Sequence, residues 1–219
     1  MVCWLMFDCQ TRTEEKINWC RIKIMVKVVL FDWSGTLCND YTDVTGLFSV
    51  KTITPDISRS IYFLPLTRAL RHCLAYFEIR FPKFLLKQNS PFQNSKLFPH
   101  TKELLKFIKS KDIIIGIIST QSEDVINYIV NKSGIVNYID FVEGRSLHKG
   151  ILIKNIIKKY NLRTKDIFYI TDLSDDILEI KGLGIKTCAV TWGYDDEEKL
   201  KKTCPDAIIS LILELKVIL

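Results

Sequence analysis

The chain has 219 residues, of which 47% are hydrophobic and 26% are charged, and its formal net charge is +6. This length allows one complete core domain with an inserted subdomain, and the composition is ordinary for a globular protein. No apolar run approaches the roughly 18 to 20 residues that cross a bilayer, which excludes a polytopic membrane protein and argues against a membrane partner. The seven cysteines form no CxxC pair and no cluster with histidine, which argues against a zinc site.

Residues 1–24 match nothing downstream in pattern, and we interpret them as an N-terminal extension outside the core. This segment has no basic n-region, and Asp8 interrupts its apolar start, so we expect no secretory signal. We therefore predict a cytoplasmic protein.

The stretch 28–37 reads VVLFDWSGTL and is the most informative part of the chain. Four apolar residues lead directly into Asp32, as in a buried parallel strand that presents one carboxylate at its C-terminal edge. Gly35 allows a sharp turn that brings backbone N–H groups close to this carboxylate. Such a carboxylate suits a nucleophile or a metal ligand, and an ordinary turn aspartate is the alternative.

Residues 43–97 form a segment of different character. A helical spacing of apolar residues runs over 57–77, and proline and amide residues follow. Residues 44–97 contain eight Lys or Arg residues and only two acidic residues, and the basic residues form no tight run. This pattern fits a surface that draws small anions, and ordinary solvated helix faces are the alternative for most of these residues. We predict no nucleic-acid partner.

From Leu97 onward, strands and helices alternate, which is typical of a doubly wound parallel sheet of the Rossmann-like α/β class. Ser122 is the expected N-cap of the second helix. The predicted helices cover 100–111, a segment after 122, 150–160, 174–181 and 196–203, and the predicted strands cover 113–118, 141–142, 167–170, 187–190 and 207–209.

Three of these strands end in groups that suit phosphate chemistry: Asp32, Ser119 and Asp172. Lys149 lies at the start of a helix, and Asp176 lies four residues after Asp172 on the same helix side. The carboxylates are suited to hold Mg²⁺, while the hydroxyl and the ammonium are suited to bind phosphoryl oxygens.

In this order the motifs VVLFDWSGT, IIGIIST, LHKG and FYITDLSDD resemble the four motifs of the haloacid dehalogenase superfamily. The stretches LFPHTKELLKFIKSKDIIIGIIST and GLGIKTCAVTWGY resemble its phosphoglycolate-phosphatase-like members. The resemblance implies an α/β core over 25–42 and 98–219, with a small helical cap over 43–97. It also implies a Mg²⁺ cofactor, a small phosphorylated or otherwise anionic substrate, and a monomer or homodimer.

By this resemblance Asp32 is the nucleophile of a phosphatase and forms an aspartyl-phosphate. The implied metal ligands are Asp32, the Ser34 carbonyl, Asp172 and Asp176. The implied catalytic and substrate-binding groups further include Ser34, Gly35, Thr36, Ser119, Thr120 and Lys149.

Ser34 departs from the family pattern. Phosphatases of the family carry a second aspartate there, as a general acid and base that is worth about 10² to 10⁴ in rate. Four interpretations follow from this position. First, the chain is a phosphatase that is slow or takes its acid from elsewhere, such as Asp40, Asp43 or the cap. Second, it is a phosphonatase-like hydrolase, since DWSGT is close to DWAGT; such enzymes use a cap lysine, for which Lys51, Lys83 and Lys87 are candidates. Third, cation-pumping ATPases carry DKTGT, but the absence of an apolar run that could span a bilayer excludes that class. Fourth, it is a non-catalytic binder of a phosphorylated ligand or a partner. A 2-haloacid dehalogenase is a poorer fit, because a complete acidic fourth motif favours Mg²⁺.

Overall fold

The computed structural model describes residues 24–40, 95–146 and 148–219. Within them, six strands form one parallel sheet in the order β5-β4-β1-β6-β7-β8. These strands are β1 (Val28–Phe31), β4 (Ile114–Ile118), β5 (Phe141–Glu143), β6 (Ile167–Thr171), β7 (Lys186–Val190) and β8 (Ala207–Ile209). The predicted doubly wound, Rossmann-like sheet is therefore confirmed.

A short antiparallel ribbon pairs β2 (Cys38–Asn39) with β3 (Lys96–Leu97). It joins the chain just after the first motif to the chain just before the helix at 101–109. Two-residue strands carry no periodic signal, which is why the sequence predicted no strand at either place. The predicted cap, residues 43–97, lies outside the described residues except for its last three.

The α-helices of the described residues are α1 (Thr101–Lys109), α2 (Glu123–Lys132), α3 (Lys149–Lys159), α4 (Ser174–Lys181), α5 (Glu197–Lys202) and α6 (Leu215–Ile218). The helices predicted over 100–111, 150–160, 174–181 and 196–203 agree with α1, α3, α4 and α5 to within about two residues, and the helical spacing over 57–77 lies outside the described residues. Ser122 occupies the N-cap position of α2, as predicted. Its side chain makes no capping hydrogen bond, so the expected stabilisation of the helix start by this hydroxyl is wrong. No helix in this part of the chain is both long and apolar enough to cross a bilayer.

The core lies on both faces of the sheet because every residue of β1 is buried. Val29 and Phe31 pack with α1, α2 and α6 on one face, while Val28 and Leu30 pack with α3 and α4 on the other. This sandwich explains the continuous apolar run before Asp32, since a strand covered on both sides has no face for polar side chains.

Candidate active site

The site lies at the carboxyl edge of the sheet, where Asp32 follows the central strand β1. Phe31 lies opposite Ile117 of β4 and Ile170 of β6, and the Asp32 N–H donates to the Ile170 carbonyl at 2.8 Å. By this register Ser119 and Asp172 leave their strands on either side of Asp32. Because the chain moves from β1 to β4 on one side and returns to β6 on the other, this edge is the topological switch point at which open α/β sheets bind ligands.

Lys149, the first residue of α3, joins two carboxylates. Its Nζ lies 2.7 Å from Asp32 Oδ1 and 2.5 Å from Asp176 Oδ2, and the residue is only 2% exposed. The Trp33 N–H also donates to Asp32 Oδ1, at 2.7 Å. The Thr171 hydroxyl lies 3.3 Å from Asp32 Oδ2 and 3.1 Å from Asp176 Oδ2, so its proton serves one of them at a time.

Burial governs the ionisation of this cluster. It raises the pKa of Asp32 to about 6, although the Lys149 charge opposes the rise. Burial alone would lower the pKa of the Lys149 ammonium, but the charges and hydrogen bonds of Asp176 and Asp32 together raise it above its usual range. Lys149 therefore stays protonated and acts as a fixed positive charge.

Asp172 occupies a tightly closed position beside this cluster. Its Oδ1 accepts from the Thr36 hydroxyl at 2.9 Å, and its Oδ2 accepts from the Tyr194 N–H at 2.7 Å. A Cβ on Gly35, which has φ +76°, would lie 2.3 Å from Asp172 Oδ2, and a Cβ on Gly193 would lie 2.0 Å from Asp172 Cβ. Glycine is therefore required at both positions. Burial, followed by the charge of Asp32, raises the pKa of Asp172 well above its usual value.

Ser34 is bound to a third carboxylate. Its hydroxyl donates to Asp40 Oδ2 at 2.6 Å, and the Tyr194 hydroxyl donates to Asp40 Oδ1 at 2.9 Å. Asp40 is 3% exposed. The residue that departs from the family pattern is thus anchored by a buried carboxylate six positions later in the chain.

The second motif is buried at the same sheet edge. Ser119 is 1% exposed, and its Oγ accepts from the Gln121 N–H at 3.0 Å. Thr120 is half-buried. The Gln121 Oε1 and the Ser122 Oγ are buried and have no hydrogen-bond partner among the residues that the structure describes.

The chemistry of the donor set favours a cation between Asp32 and Asp172. The charge of Asp32 raises the pKa of the buried Asp172, and a divalent cation with oxygen ligands would relieve that repulsion. Asp176 is differently placed, because its Oδ2 is held by Lys149, by Thr171 and by the Tyr169 hydroxyl at 2.9 Å. Among the described residues no three His, Cys, Asp or Glu side chains gather as a metal site. Direct ligation by Asp176 stays a prediction.

Several contacts were not anticipated from the sequence. Thr171 and Tyr169 precede Asp172 on β6, where the sequence indicated only a buried strand. Tyr194 and Asp195 follow β7, and the Ser174 N–H donates to Asp195 Oδ2 at 2.7 Å at the start of α4. For Tyr194 and Asp195 the available signal was their position soon after β7, whereas Thr171 and Tyr169 lie within β6 and gave none.

Comparisons with known proteins point to one family. The profile described as haloacid dehalogenase-like hydrolase matches residues 29–190, more than half of the chain. A phosphoglycolate phosphatase of Synechococcus elongatus is 25% identical over 116 residues, 52% of this chain and 55% of the relative. A protein of Clostridium perfringens provisionally named pyrophosphatase PpaX is 29% identical over 209 residues, 87% of this chain and 96% of the relative.

The phosphoglycolate phosphatases in this comparison are matched over only part of their length: the chain spans about 55% to 58% of those aligned here. Among solved structures, a haloacid dehalogenase-like family hydrolase from Streptococcus pneumoniae superposes with a TM-score of 0.69 at 22% identity, over 87% of this chain and 97% of that one. This likeness shows the fold.

Proposed function

Because the chain belongs to the haloacid dehalogenase-like hydrolases, we propose that it is a Mg²⁺-dependent phosphatase acting through an aspartyl-phosphate on Asp32. The observation that carries the proposal is the contact of Lys149 Nζ with Asp32 Oδ1 at 2.7 Å, at the end of the central strand. This contact places the buried Asp32 carboxylate, the proposed nucleophile, beside a fixed positive charge.

In the first step an Asp32 oxygen attacks the phosphorus, and the bond from phosphorus to the leaving oxygen breaks. Oδ1 already accepts from Trp33 and Lys149, so Oδ2, which contacts only the Thr171 hydroxyl among the contacts above, is the better nucleophile. In the second step water attacks the phosphorus and frees the Asp32 carboxylate. Lys149 offsets the negative charge that collects on the phosphoryl oxygens.

A divalent cation would supply Lewis-acid stabilisation of the same oxygens. Asp32, Asp172 and the Ser34 carbonyl are the ligands that we propose, with Asp176 binding the cation directly or through water. Ser119, Thr120, Gly35 and Thr36 complete the proposed phosphate-binding edge.

A small phosphorylated metabolite is the proposed substrate. The names of the two relatives, a phosphoglycolate phosphatase and a provisional pyrophosphatase, support a substrate of this size and charge. Residues 43–97 are proposed as the cap that selects it, and their basic residues suit an anion.

Ser34 bears on both steps. A hydroxyl is a poor acid and a poor base at neutral pH, and this one already donates to Asp40 at 2.6 Å. The leaving oxygen then takes its proton from solvent in the first step, and the attacking water loses its proton to solvent in the second, so both steps are slowed. A burst of leaving group in the first turnover would show that hydrolysis of the aspartyl-phosphate is the slower of the two.

A second candidate, phosphonatase-like hydrolysis, follows from the same residue. That chemistry requires a neutral lysine that forms a Schiff base. Lys149 cannot serve, because its two carboxylate partners keep it protonated. The candidates Lys51, Lys83 and Lys87 lie outside the described residues. Borohydride trapping of a lysine adduct with phosphonoacetaldehyde would support this function, and absence of an adduct would exclude it.

The test of the main proposal is turnover of a panel of phosphomonoesters that includes phosphoglycolate, and of pyrophosphate, in the presence of Mg²⁺. Asp32→Asn is the control. Turnover by the wild type and none by the variant is expected. Equal rates would refute the proposal, and Mg²⁺-dependent ligand binding without turnover would point instead to a binding protein.

A further inference from the structure

A short segment with glycine at its start leads from β5 to Lys149. It runs from Gly144 to His148 between β5 and α3, with Gly150 just beyond and no proline within it. Glycine broadens the range of backbone conformations, and fixing each residue costs about 1 to 2 kcal/mol. A catalytic ammonium needs a defined position, so this segment requires ties to the rest of the fold.

The ties come from the first turn of α2. Glu123 Oε1 accepts from the Gly144 N–H at 3.0 Å, and Glu123 Oε2 pairs with Arg145 Nε at 2.8 Å. Arg145 also reaches Asp124 Oδ2 at 3.0 Å, and its N–H donates to the Gln121 carbonyl at 3.1 Å. Arg145 and Gly144 are thus held by the side chains of Glu123 and Asp124 and by the Gln121 carbonyl.

The backbone confirms that the contact is close. A Cβ on Gly144 would lie 2.3 Å from the Gln121 carbonyl oxygen, so only glycine fits. Arg145 has φ 59°, a left-handed conformation that a non-glycine residue adopts only when its surroundings compensate. Arg145 and Glu123 are 38% and 32% exposed, and a single pair of that kind contributes little. Joined to two backbone hydrogen bonds, they act as a unit.

We propose that Arg145, Glu123 and Asp124 form a latch that positions Lys149, tying the helix after Ser119 to the loop that leads into α3. These are positioning residues, because none of them contacts Asp32 in the structure. The catalytic meaning of the latch rests on the function proposed for Lys149, but its effect on the position of Lys149 does not.

The first experiment measures that position without any turnover. The protein is acylated with a lysine-specific reagent, and the rate at each lysine is read by peptide mass spectrometry. Glu123→Ala should raise the labelling rate of Lys149 at least about tenfold relative to that of Lys181, a half-buried lysine bonded to the carbonyls of Thr203 and Cys204. Global destabilisation would raise both rates together and would overturn the proposal.

The matched control is Lys109→Ala. Lys109 pairs with Asp140 at 2.8 Å with similar exposures, 31% and 35%, and Asp140 bonds to Ile115 near the opposite end of β4. This variant removes an equivalent ion pair and should leave the Lys149 to Lys181 ratio unchanged. A ratio that rises equally in both variants would contradict a specific latch.

The second experiment measures phosphatase kinetics. Glu123→Ala should lower kcat about tenfold with less than a twofold change in KM, while Glu123→Gln, which keeps an acceptor for the Gly144 N–H, should recover most of the loss. Unchanged kcat in Glu123→Ala would overturn the catalytic part of the proposal. If the wild type shows no turnover, the proposed function fails, and the labelling ratio still decides whether the latch positions Lys149.

Discussion

The most informative perturbation is Ser34→Asp, which restores the acid and base that phosphatases of the family carry. A working general acid and base is worth about 10² to 10⁴ in rate, so the dephosphorylation step should accelerate. The structure adds a complication, because Ser34 Oγ already lies 2.6 Å from Asp40 Oδ2. The new carboxylate would therefore enter beside an existing one.

The size of this conflict follows from Coulomb's law. Two charges about 4 Å apart at an effective dielectric constant near 20 repel by about 4 kcal/mol. Since one pKa unit corresponds to about 1.4 kcal/mol, the shared site holds a proton up to a pH about 3 units higher than an isolated carboxyl would. In the single variant the new group is then a usable acid near neutral pH, but it is ionised, and so available as a base, only at a pH about 3 units higher than an isolated carboxyl.

Asp40→Asn separates these effects. In the double variant the repulsion disappears, and the asparagine amide donates to the new carboxylate. The pKa that governs kcat should lie about 2 to 3 units lower in the double variant than in Ser34→Asp alone. The assay is kcat for a phosphomonoester with Mg²⁺ from about pH 4.5 to 9, with Asp40→Asn alone as the control. Identical pH profiles for the single and double variants would refute the reasoning.

Three further predictions concern the parts that hold the site together. Lys149→Met removes the charge between two carboxylates and should lower kcat at least about 100-fold, as measured at saturating substrate; a loss under tenfold would contradict its electrostatic role. Gly35→Ala places a methyl group 2.3 Å from an Asp172 carboxylate oxygen and should lower the free energy of unfolding, measured in urea, by more than about 2 kcal/mol. Gly134→Ala is the control, because Gly134 also has a positive φ but its added Cβ would lie 3.4 Å from the nearest atom; this variant should lower the free energy of unfolding by less. Asp195→Ala leaves buried donors of Ser174 unsatisfied, two residues after Asp172, and should reduce the Mg²⁺-induced rise in melting temperature. Asp196→Ala removes only the cap of α5 and should leave that rise intact. Equal effects of the two variants would refute the inference that the contact between Asp195 and Ser174 helps to position Asp172 for Mg²⁺.

The central sheet and the order of its chemical groups were predictable from the sequence for a simple reason. Strands buried on both faces read as apolar runs, and a parallel sheet brings all their carboxyl ends to one edge. Asp32, Ser119 and Asp172 each follow such a run, so their arrangement around β1 required no knowledge of side-chain contacts.

The finer contacts were not predictable, because they depend on how loops fold back. Tyr194 is 22 residues from Asp172, and no periodicity links its N–H to that carboxylate. Asp176 illustrates a second limit: its spacing from Asp172 predicted a shared helix face but not that Lys149 would bind its Oδ2. The hydroxyl of Ser122 looked like a cap, yet it makes no capping bond.

The central claim is that Asp32 accepts the phosphoryl group. The direct measurement is to quench the enzyme in acid during turnover of a labelled phosphomonoester with Mg²⁺, reduce the acyl-phosphate with borohydride, and map the modified residue by mass spectrometry. The expected result is labelled protein before reduction; borohydride then releases the labelled phosphate and leaves homoserine at position 32. Neither the label nor the homoserine should appear in Asp32→Asn. Modification of another residue during turnover would contradict the mechanism. So would turnover that is retained in Asp32→Asn.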